Sequence, residues 1–154
     1  MATVTSTAPA PAKSRSVRMA LAAQVFLIRK NFAGPLGDFC MAIEHRGRKT
    51  GTIYATPIAY LRDGADIIAI SSAGKGNWFK NTLANGEAQI TIKGREQRVT
   101  AREMTDAAEI ARVFELYKTT FKAFERTFGV PVTADAEALV GARDRFRYLR
   151  LSPG

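Results

Sequence analysis

The stretch TIYATPIAYLRDGADIIAISS, residues 52–72, decides the fold class of this chain. Two runs rich in β-branched and aromatic residues, 52–61 and 65–72, flank the segment Arg62-Asp63-Gly64. Two such runs joined by a short segment that contains glycine predict a β-hairpin. The sheet is therefore expected to contain antiparallel neighbours.

Four further strands are predicted outward from this hairpin. One precedes it, over residues 38–44, and two follow it as a second hairpin, 88–93 and 97–103, joined through Gly94-Arg95. The last strand, 145–151, carries alternating cationic and apolar residues. The cations are Arg145, Arg147 and Arg150, and the apolar residues are Phe146, Tyr148 and Leu149.

Helices are predicted before and between the hairpins. Residues 16–31 repeat apolar side chains at spacings of three and four, which places them on one helical face. They are Val17, Leu21, Val25, Ile28 and Phe32. Between the hairpins, Asn77 is expected to cap a short helix with Trp78, Phe79 and Leu83, and Gly86 to end it.

A long amphipathic helix is predicted after the second hairpin. It starts at Asp106, with Glu109 as the capping-box partner, and stops at Gly129 and Pro131. Its apolar face is Ile110, Phe114, Tyr117, Phe121, Phe124 and Phe128. No pattern is recognised between this helix and the final strand.

About six short antiparallel strands with helices around them predict an α+β fold built on a small barrel. The strand order cannot be derived from pattern. With 154 residues, 46% of them apolar, the chain can fill one core, so residues 16–154 are predicted to form a single domain. Residues 1–15, rich in Ala, Thr, Ser and Pro, are predicted to be a disordered tail.

Composition excludes several classes of chemistry. One His and one Cys cannot supply a structural zinc site, and no G-x-S-x-G, P-loop or G-x-G-x-x-G motif is present. If the chain is an enzyme, a cofactor is expected to carry the reaction. The net charge of +9 favours anionic partners. A single Cys40 and no apolar run of membrane length make the cytoplasm the expected location.

The segment His45-Arg46-Gly47-Arg48-Lys49-Thr50-Gly51 concentrates cations and glycines between two predicted strands. It has two interpretations. It is either a solvated basic turn or an anion clamp, in which glycines let backbone N–H groups approach a phosphate while Arg48 and Lys49 add charged hydrogen bonds.

The string GRKTG is similar to the G-R-[KR]-[ST]-G turn of the deazaflavin-dependent nitroreductase family. The resemblance continues in order over about residues 39–102. The matching segments are Thr56-Pro57, Arg62-Asp63-Gly64, Ser71-Ser72-Ala73-Gly74, Asn77-Trp78-Phe79-Lys80-Asn81 and Leu83-Ala84-Asn85. The ordered series is more specific than any single segment.

The resemblance implies a split β-barrel that binds coenzyme F420, a deazaflavin whose tail carries a phosphate and several glutamates. It implies phosphate contacts from Arg48 and Lys49 and places Thr50 and Gly51 of the same turn in the coenzyme site. It places Thr56 and Pro57 by the deazaflavin ring and gives backbone donors at Ser71, Ser72, Ala73 and Gly74. Trp78 is expected near the coenzyme entrance, with ordinary core packing as the alternative.

Two departures limit what the resemblance implies. Many relatives carry a lysine where this chain has Ala73, so the coenzyme-binding lysine of this segment is expected to be the nearest one, Lys75. The tyrosines that relatives place after the second hairpin are here Tyr117 followed by phenylalanines. Substrate identity is therefore not carried over, and no catalytic residue is assigned. Tyr54, Tyr60, Tyr117 and Ser72 are candidate proton donors.

The function expected is hydride transfer from reduced coenzyme F420 to an electron-poor small molecule such as a quinone, enone or nitro compound. Alternatives are an FMN-dependent enzyme on the same barrel, a non-catalytic carrier of cofactor or lipid, and a basic nucleic-acid-binding module. The cations are spread along the whole chain, which disfavours nucleic acid. Arg18, Arg29 and Lys30 leave open peripheral association of the first helix with an anionic membrane. Monomer and homodimer both stay open.

Overall fold

The computed structural model describes residues 14–31, 34–73 and 75–154. The helices are α1 (Arg15–Arg29), α2 (Asn77–Asn85), α3 (Ala107–Thr120), α4 (Phe124–Phe128) and α5 (Ala136–Asp144), and a 3₁₀ turn spans Gly34–Asp38. The strands are β1 (Cys40–Arg46), β2 (Ile53–Ala59), β3 (Leu61–Asp63), β4 (Asp66–Ser72), β5 (Glu87–Ile92), β6 (Arg95–Met104) and β7 (Phe146–Pro153). None of these helices is long and apolar enough to cross a bilayer.

All described strands form one antiparallel sheet in the order β2-β1-β5-β6-β7-β4-β3. The strands at its two ends, β2 and β3, are separated in the chain by Tyr60 alone. The sheet must therefore curl until its ends meet. Tyr60 holds this corner, since its N–H donates to the Phe39 carbonyl at 2.9 Å and its hydroxyl to the Gly37 carbonyl at 3.0 Å.

The predicted antiparallel α+β barrel is confirmed, but the prediction of one strand over residues 52–61 is wrong. The run divides at Tyr60 into β2, which pairs with β1, and β3, which pairs with β4. The sheet therefore has seven described strands where the sequence predicted about six.

The barrel interior is filled by the inward-facing side chains of the strands. On β1, Met41 and Ile43 point inward, while Cys40 and Ala42 point outward and pack on Val25 of α1. Helix α2 covers the interior with Phe79, and Trp78 and Leu83 pack beside it. The inner core is thus closed by α2, the helix between the two hairpins.

A second core lies on the outer face of the sheet under α3, α4 and α5. The prediction of one long helix over residues 106–128 is wrong. In a continuous helix, positions 114 and 128 would lie ~21 Å apart, whereas the Phe114 and Phe128 rings are 5.2 Å apart. The helix stops at Thr120, and Phe121 adopts extended backbone. The Thr120 hydroxyl donates to the Leu116 carbonyl at 2.6 Å, a local side-chain bond of the kind that bends helices.

The predicted helix ends are partly confirmed. Asp106 caps α3 by accepting the N–H of Glu109 at 2.9 Å, but the Glu109 carboxylate binds Arg102 rather than completing a capping box. Gly86 ends α2 in the left-handed conformation, as predicted. The N-cap of α2 is Gly76, so the assignment of Asn77 is wrong by one position.

Helix α5 was not predicted, because its segment lacks an apolar period. Its available signal is Asp135, whose carboxylate accepts the N–H of Ala138 at 2.8 Å as an N-cap. The final strand begins directly after this helix and runs slightly beyond its predicted end.

Helix α1 begins earlier than predicted and packs through its C-terminal half. Ser14 caps it and Arg15 is helical, so position 15, which the sequence assigned to the tail, belongs to the helix. Val25 and Ile28 are buried, whereas Val17 is 45% exposed. Phe32, which the sequence placed on the same face, and residues 1–13 of the predicted tail lie outside the described residues.

An ion network connects the β3–β4 hairpin to β7 and α3. Arg150, only 8% exposed, contacts the carboxylates of Asp63 and Asp66, each at 2.9 Å. Asp63 also binds Arg112 of α3 through two hydrogen bonds of 3.1 and 2.6 Å. The hydrogen bonds from Arg112 are the main reason that the pKa of Asp63 falls from 3.8 to about 2.

We expect Asp63→Asn to lower the free energy of unfolding by about 1–2 kcal/mol at pH 7. Because the native pKa of Asp63 lies below its ordinary 3.8, this stabilisation is complete above about pH 5 and is lost as the pH falls to about 2. Urea unfolding of parent and variant at pH 7 and at pH 2.5 measures the difference. A difference that does not shrink in acid would contradict this role.

Candidate functional site

The sheet leaves a split between β2 and β4. In the described residues β2 pairs only with β1, and β3 covers β4 only at positions 66–68. The later half of β4 therefore has no ladder partner on the side of β2, although the two strands are in contact. The split is thus the place where the ladder of the curled sheet is not closed by hydrogen bonds.

Predicted site residues lie on both walls of this split. Pro57 lies on β2 and Ser72 at the end of β4, the two strands that border the split. The Ala73 N–H donates to the Arg145 carbonyl across the β7 side of β4 at 2.8 Å. Since N–H groups alternate between the two edges of a strand, the Ser72 N–H points toward β2. Pro57 fits the unpaired edge because it has no N–H to offer.

The turn between β1 and β2 lies at the end of this split. The Gly47 N–H donates to the Thr52 carbonyl at 2.7 Å, and the Gly51 N–H donates to the Gly47 carbonyl at 2.9 Å. A Cβ at Gly47 would lie 2.5 Å from the Thr50 hydroxyl oxygen, and Gly51 has a φ of +71°. Both glycines are therefore required by the geometry of the turn.

The closed turn presents unused donors to solvent. Arg48, Lys49 and Thr50 are exposed. Among the described residues, the N–H groups of Lys49 and Thr50 have no protein acceptor. The turn therefore carries two successive free N–H groups beside two cationic side chains, which are donors of the kind that bind phosphate in proteins.

A buried hydrogen-bonded chain joins this turn to the wall of the split. The backbone N and guanidinium Nη1 of Arg48 lie 3.2 and 2.7 Å from Asn81 Oδ1. Asn81 Nδ2 lies 3.0 Å from His45 Nδ1, and His45 Nε2 lies 3.0 Å from Thr56 Oγ1. Burial lowers the pKa of His45 to about 4, so its ring is neutral at pH 7.

Sequence reasoning missed His45 and Asn81 as members of the site. His45 continues the inward-facing series of Met41 and Ile43 on β1, and this period-two pattern was an available signal. Nothing local signals that Asn81, on α2, is its partner. The contact depends on α2 folding back over the barrel.

The segment after β4 differs from the implied arrangement. The Ala73 amide is already bonded to Arg145, and the Lys75 amide donates to the Ser72 carbonyl at 3.1 Å. Ala73 has a φ of 51°, a left-handed conformation that is uncommon outside glycine. The Ser71 hydroxyl accepts the Gly76 N–H at 3.3 Å. Lys75 is exposed, and Gly74 lies outside the described residues.

Trp78 is half-buried and packs against the inner core. Its ring meets Phe79 edge to face at 5.7 Å. A Cβ at Gly76 would come within 2.8 Å of the indole Nε1, so the indole lies directly on this glycine. Core packing is thus one role of Trp78, and contact with a coenzyme stays a prediction.

Two of the four candidate proton donors are engaged with backbone acceptors. The Tyr60 hydroxyl donates to the Gly37 carbonyl, and the Tyr117 hydroxyl lies buried, 3.5 Å from the Ile68 carbonyl. Burial raises the pKa of both phenols. Tyr54, stacked on His45 at 5.7 Å, and Ser72 are both exposed.

Residues 27–130 match the model of the F420H(2)-dependent quinone reductase family. The chain belongs to this family. Rv3178 of Mycobacterium tuberculosis, whose name assigns it provisionally as an F420H(2)-dependent quinone reductase, is 30% identical over 78 residues. The match covers 48% of this chain, and the chain spans only 65% of that relative.

Solved structures share the fold at low sequence identity. An F420-H2 dependent reductase has a TM-score of 0.53 at 14% identity, with 73% of this chain and 93% of that chain covered. A FAD-binding protein of Mesorhizobium loti has the same TM-score and identity, with 86% of this chain and 89% of that chain covered. The fold alone therefore does not select the coenzyme.

We expect Asn81→Ala to lower the free energy of unfolding by about 2–3 kcal/mol, because it leaves buried His45 Nδ1 without its partner and releases the turn. The matched control is Asn85→Ala on the same helix. Asn85 is exposed and donates one bond to the Arg46 carbonyl at 2.9 Å, so its loss should cost under about 1 kcal/mol. If urea unfolding shows the same small loss of free energy for Asn81→Ala as for Asn85→Ala, the buried hydrogen bonds of Asn81 add no extra stability.

Proposed function

We propose that this chain is an oxidoreductase that transfers hydride from reduced coenzyme F420 to an electron-poor organic acceptor. The observation that carries the proposal is the turn at the split, where Arg48 and Lys49 stand beside the free N–H groups of Lys49 and Thr50. The choice of F420 as coenzyme rests on membership of the F420H(2)-dependent quinone reductase family.

The donor set fits the anionic end of this coenzyme. Asn81 occupies one of the five N–H donors of Arg48, which orients the guanidinium and leaves four for a phosphate. Lys49 is an exposed point charge beside it. The net charge of +9 gives the polyglutamate tail a favourable field.

The protein would contribute binding and orientation, and the reduced deazaflavin would supply the hydride. The turn would hold the phosphate, while Thr56, Pro57 and the Ser72 N–H would line the ring position in the split. Trp78 would cover its entrance and exclude water. The acceptor belongs to the quinone, enone and nitro class, and Tyr54 or Ser72 would be the available hydroxyl for its protonation.

We expect the purified chain to bind reduced coenzyme F420 more tightly than FMN, with binding that weakens as salt rises, because charged contacts to phosphate and carboxylates dominate. Fluorescence titration at two salt concentrations measures this. Tighter FMN binding would favour the FMN enzyme. Tight F420 binding without oxidation by quinones, enones or nitro compounds would favour a carrier.

We expect Lys49→Ala and Arg48→Ala each to weaken F420 binding by about 1.5–3 kcal/mol. Lys49→Ala should leave the melting temperature of the free protein unchanged, whereas Arg48→Ala should lower it slightly because Asn81 loses one donor. The control is Arg62→Ala, an exposed cation over the Tyr60 ring. Unchanged binding in both turn variants would refute the phosphate role.

We further propose that α1 brings the enzyme to an anionic membrane surface. Opposite the buried Val25 and Ile28, an apolar stripe includes Met19 and Phe26, which are 64% and 55% exposed. Arg15, Arg18 and Lys30 flank the stripe. An amphipathic helix with cations beside an apolar stripe is suited to lie in the headgroup region.

The full chain should float with vesicles that contain anionic lipid and remain unbound with neutral vesicles. Changing Met19 and Phe26 together to Ser should abolish flotation with little loss of stability, since both side chains are exposed. Val132 and Val140, also exposed but on another surface, provide a matched double change to Ser that should still float. Equal flotation of all three proteins would show that the exposed stripe of α1 does not bind the membrane and that α1 only packs on the barrel.

A further inference from the structure

The donor and the acceptor of each hydrogen bond in the buried series Arg48–Asn81–His45–Thr56 can be assigned by starting from Arg48, its charged end. The guanidinium and backbone N–H of Arg48 are both donors, and both address Asn81 Oδ1. The atom facing Arg48 is therefore the Asn81 carbonyl oxygen, and the amide nitrogen faces His45. Asn81 Nδ2–H then donates to His45 Nδ1 at 3.0 Å.

This order selects one tautomer of His45. Nδ1 accepts a hydrogen bond, so the neutral ring carries its proton on Nε2. Nε2–H donates to Thr56 Oγ1 at 3.0 Å. Because Thr56 Oγ1 accepts this hydrogen bond, the Thr56 hydroxyl does not donate to His45. Its own proton is left for another acceptor.

The position of Thr56 suits its hydroxyl proton for donation to a ligand in the split. Thr56 lies on β2, which pairs with β1 and borders the split with its other edge, and it is half-buried. Among the described residues its hydroxyl has no acceptor.

Tyr54 stacks on His45, and Arg48 reaches it only through Asn81. The charged residues that line a cavity together with His45 are Glu44, Arg46, Glu87 and Arg98. Within the described part of the chain the ring nitrogens bond to Asn81 and Thr56 and to no carboxylate.

We propose that His45 and Asn81 are positioning residues, which orient the Thr56 hydroxyl as a hydrogen-bond donor to the ring of the bound coenzyme and connect it to the phosphate turn through Arg48. The choice of ligand rests on the proposed function. The hydrogen-bonded series Arg48–Asn81–His45–Thr56, called the relay below, is present in the protein without any ligand. One hydrogen-bonded unit therefore serves both the ring and the phosphate of the coenzyme.

The sole histidine of the chain makes the relay directly measurable. In full-length protein with ¹⁵N-labelled histidine, the ring nitrogens at pH 7 should show unprotonated Nδ1 and protonated Nε2. Protonated Nδ1 in the parent would overturn the proposal. This experiment contains no coenzyme, so its result is independent of the proposed function.

Asn81→Asp tests the order of the relay. A carboxylate only accepts, so Nδ1 of His45 should become protonated, as the other neutral tautomer or as imidazolium. Asn85→Asp, on the same helix, should leave both ring nitrogens as in the parent. Unprotonated Nδ1 in a folded Asn81→Asp protein would overturn the assignment.

The ligand end is tested at Thr56. Thr56→Val should weaken F420 binding about five- to tenfold, the effect of one lost neutral hydrogen bond, whereas Thr56→Ser should bind like the parent. Equal binding by Thr56→Val and the parent would show that the relay does not end on the coenzyme. If the parent itself fails to bind F420, the proposed function fails, while the tautomer measurement still decides the relay.

Discussion

The structure depends on one constraint, which is that β2 and β3 are consecutive in the chain and yet lie at opposite ends of the sheet. Tyr60 alone separates them, so the sheet must curl. Its two hydrogen bonds, to the Phe39 and Gly37 carbonyls, fix the corner. Closure is complete only beside β3, and the region beyond it remains a split. The same constraint thus produces both the barrel and its opening.

Hydrogen bonds from residues inside the barrel fix the β1–β2 turn at the end of the split. A buried polar group costs about 1–3 kcal/mol when its partner is missing, so a chain from Arg48 through Asn81 to His45 and Thr56 persists only if each member is paired. Each inner member is paired here. Rigidity follows at the point where an anion would be held, and preorganised donors lose less free energy on binding.

Local patterns in the sequence predicted most helices and strands but not their junctions. The run 52–61 has no break signal at Tyr60, so division there could be known only from the topology of the sheet. The long aromatic pattern was a true helical face up to Thr120, but burying Phe124 and Phe128 against Phe114 required a reversal. Helix α5 has too few apolar residues to show a period.

The candidate site could be predicted only as far as the resemblance reached. It named the turn, the Thr56-Pro57 step and the segment after β4, which the fold brings around one split. It did not indicate that the Ala73 amide is engaged with Arg145. The pairing of His45 with Asn81 joins residues far apart in sequence, and no local pattern encodes such a contact.

Residue-resolved amide hydrogen exchange by NMR, with and without coenzyme F420, tests whether the β1–β2 turn holds the phosphate. We expect the N–H groups of Lys49 and Thr50 to exchange freely in the absence of ligand and to become protected when the coenzyme is added at constant ionic strength. We expect the same protection for the Ser72 N–H on the opposite wall. Tight binding that leaves the Lys49 and Thr50 amides unprotected would contradict a phosphate role for this turn.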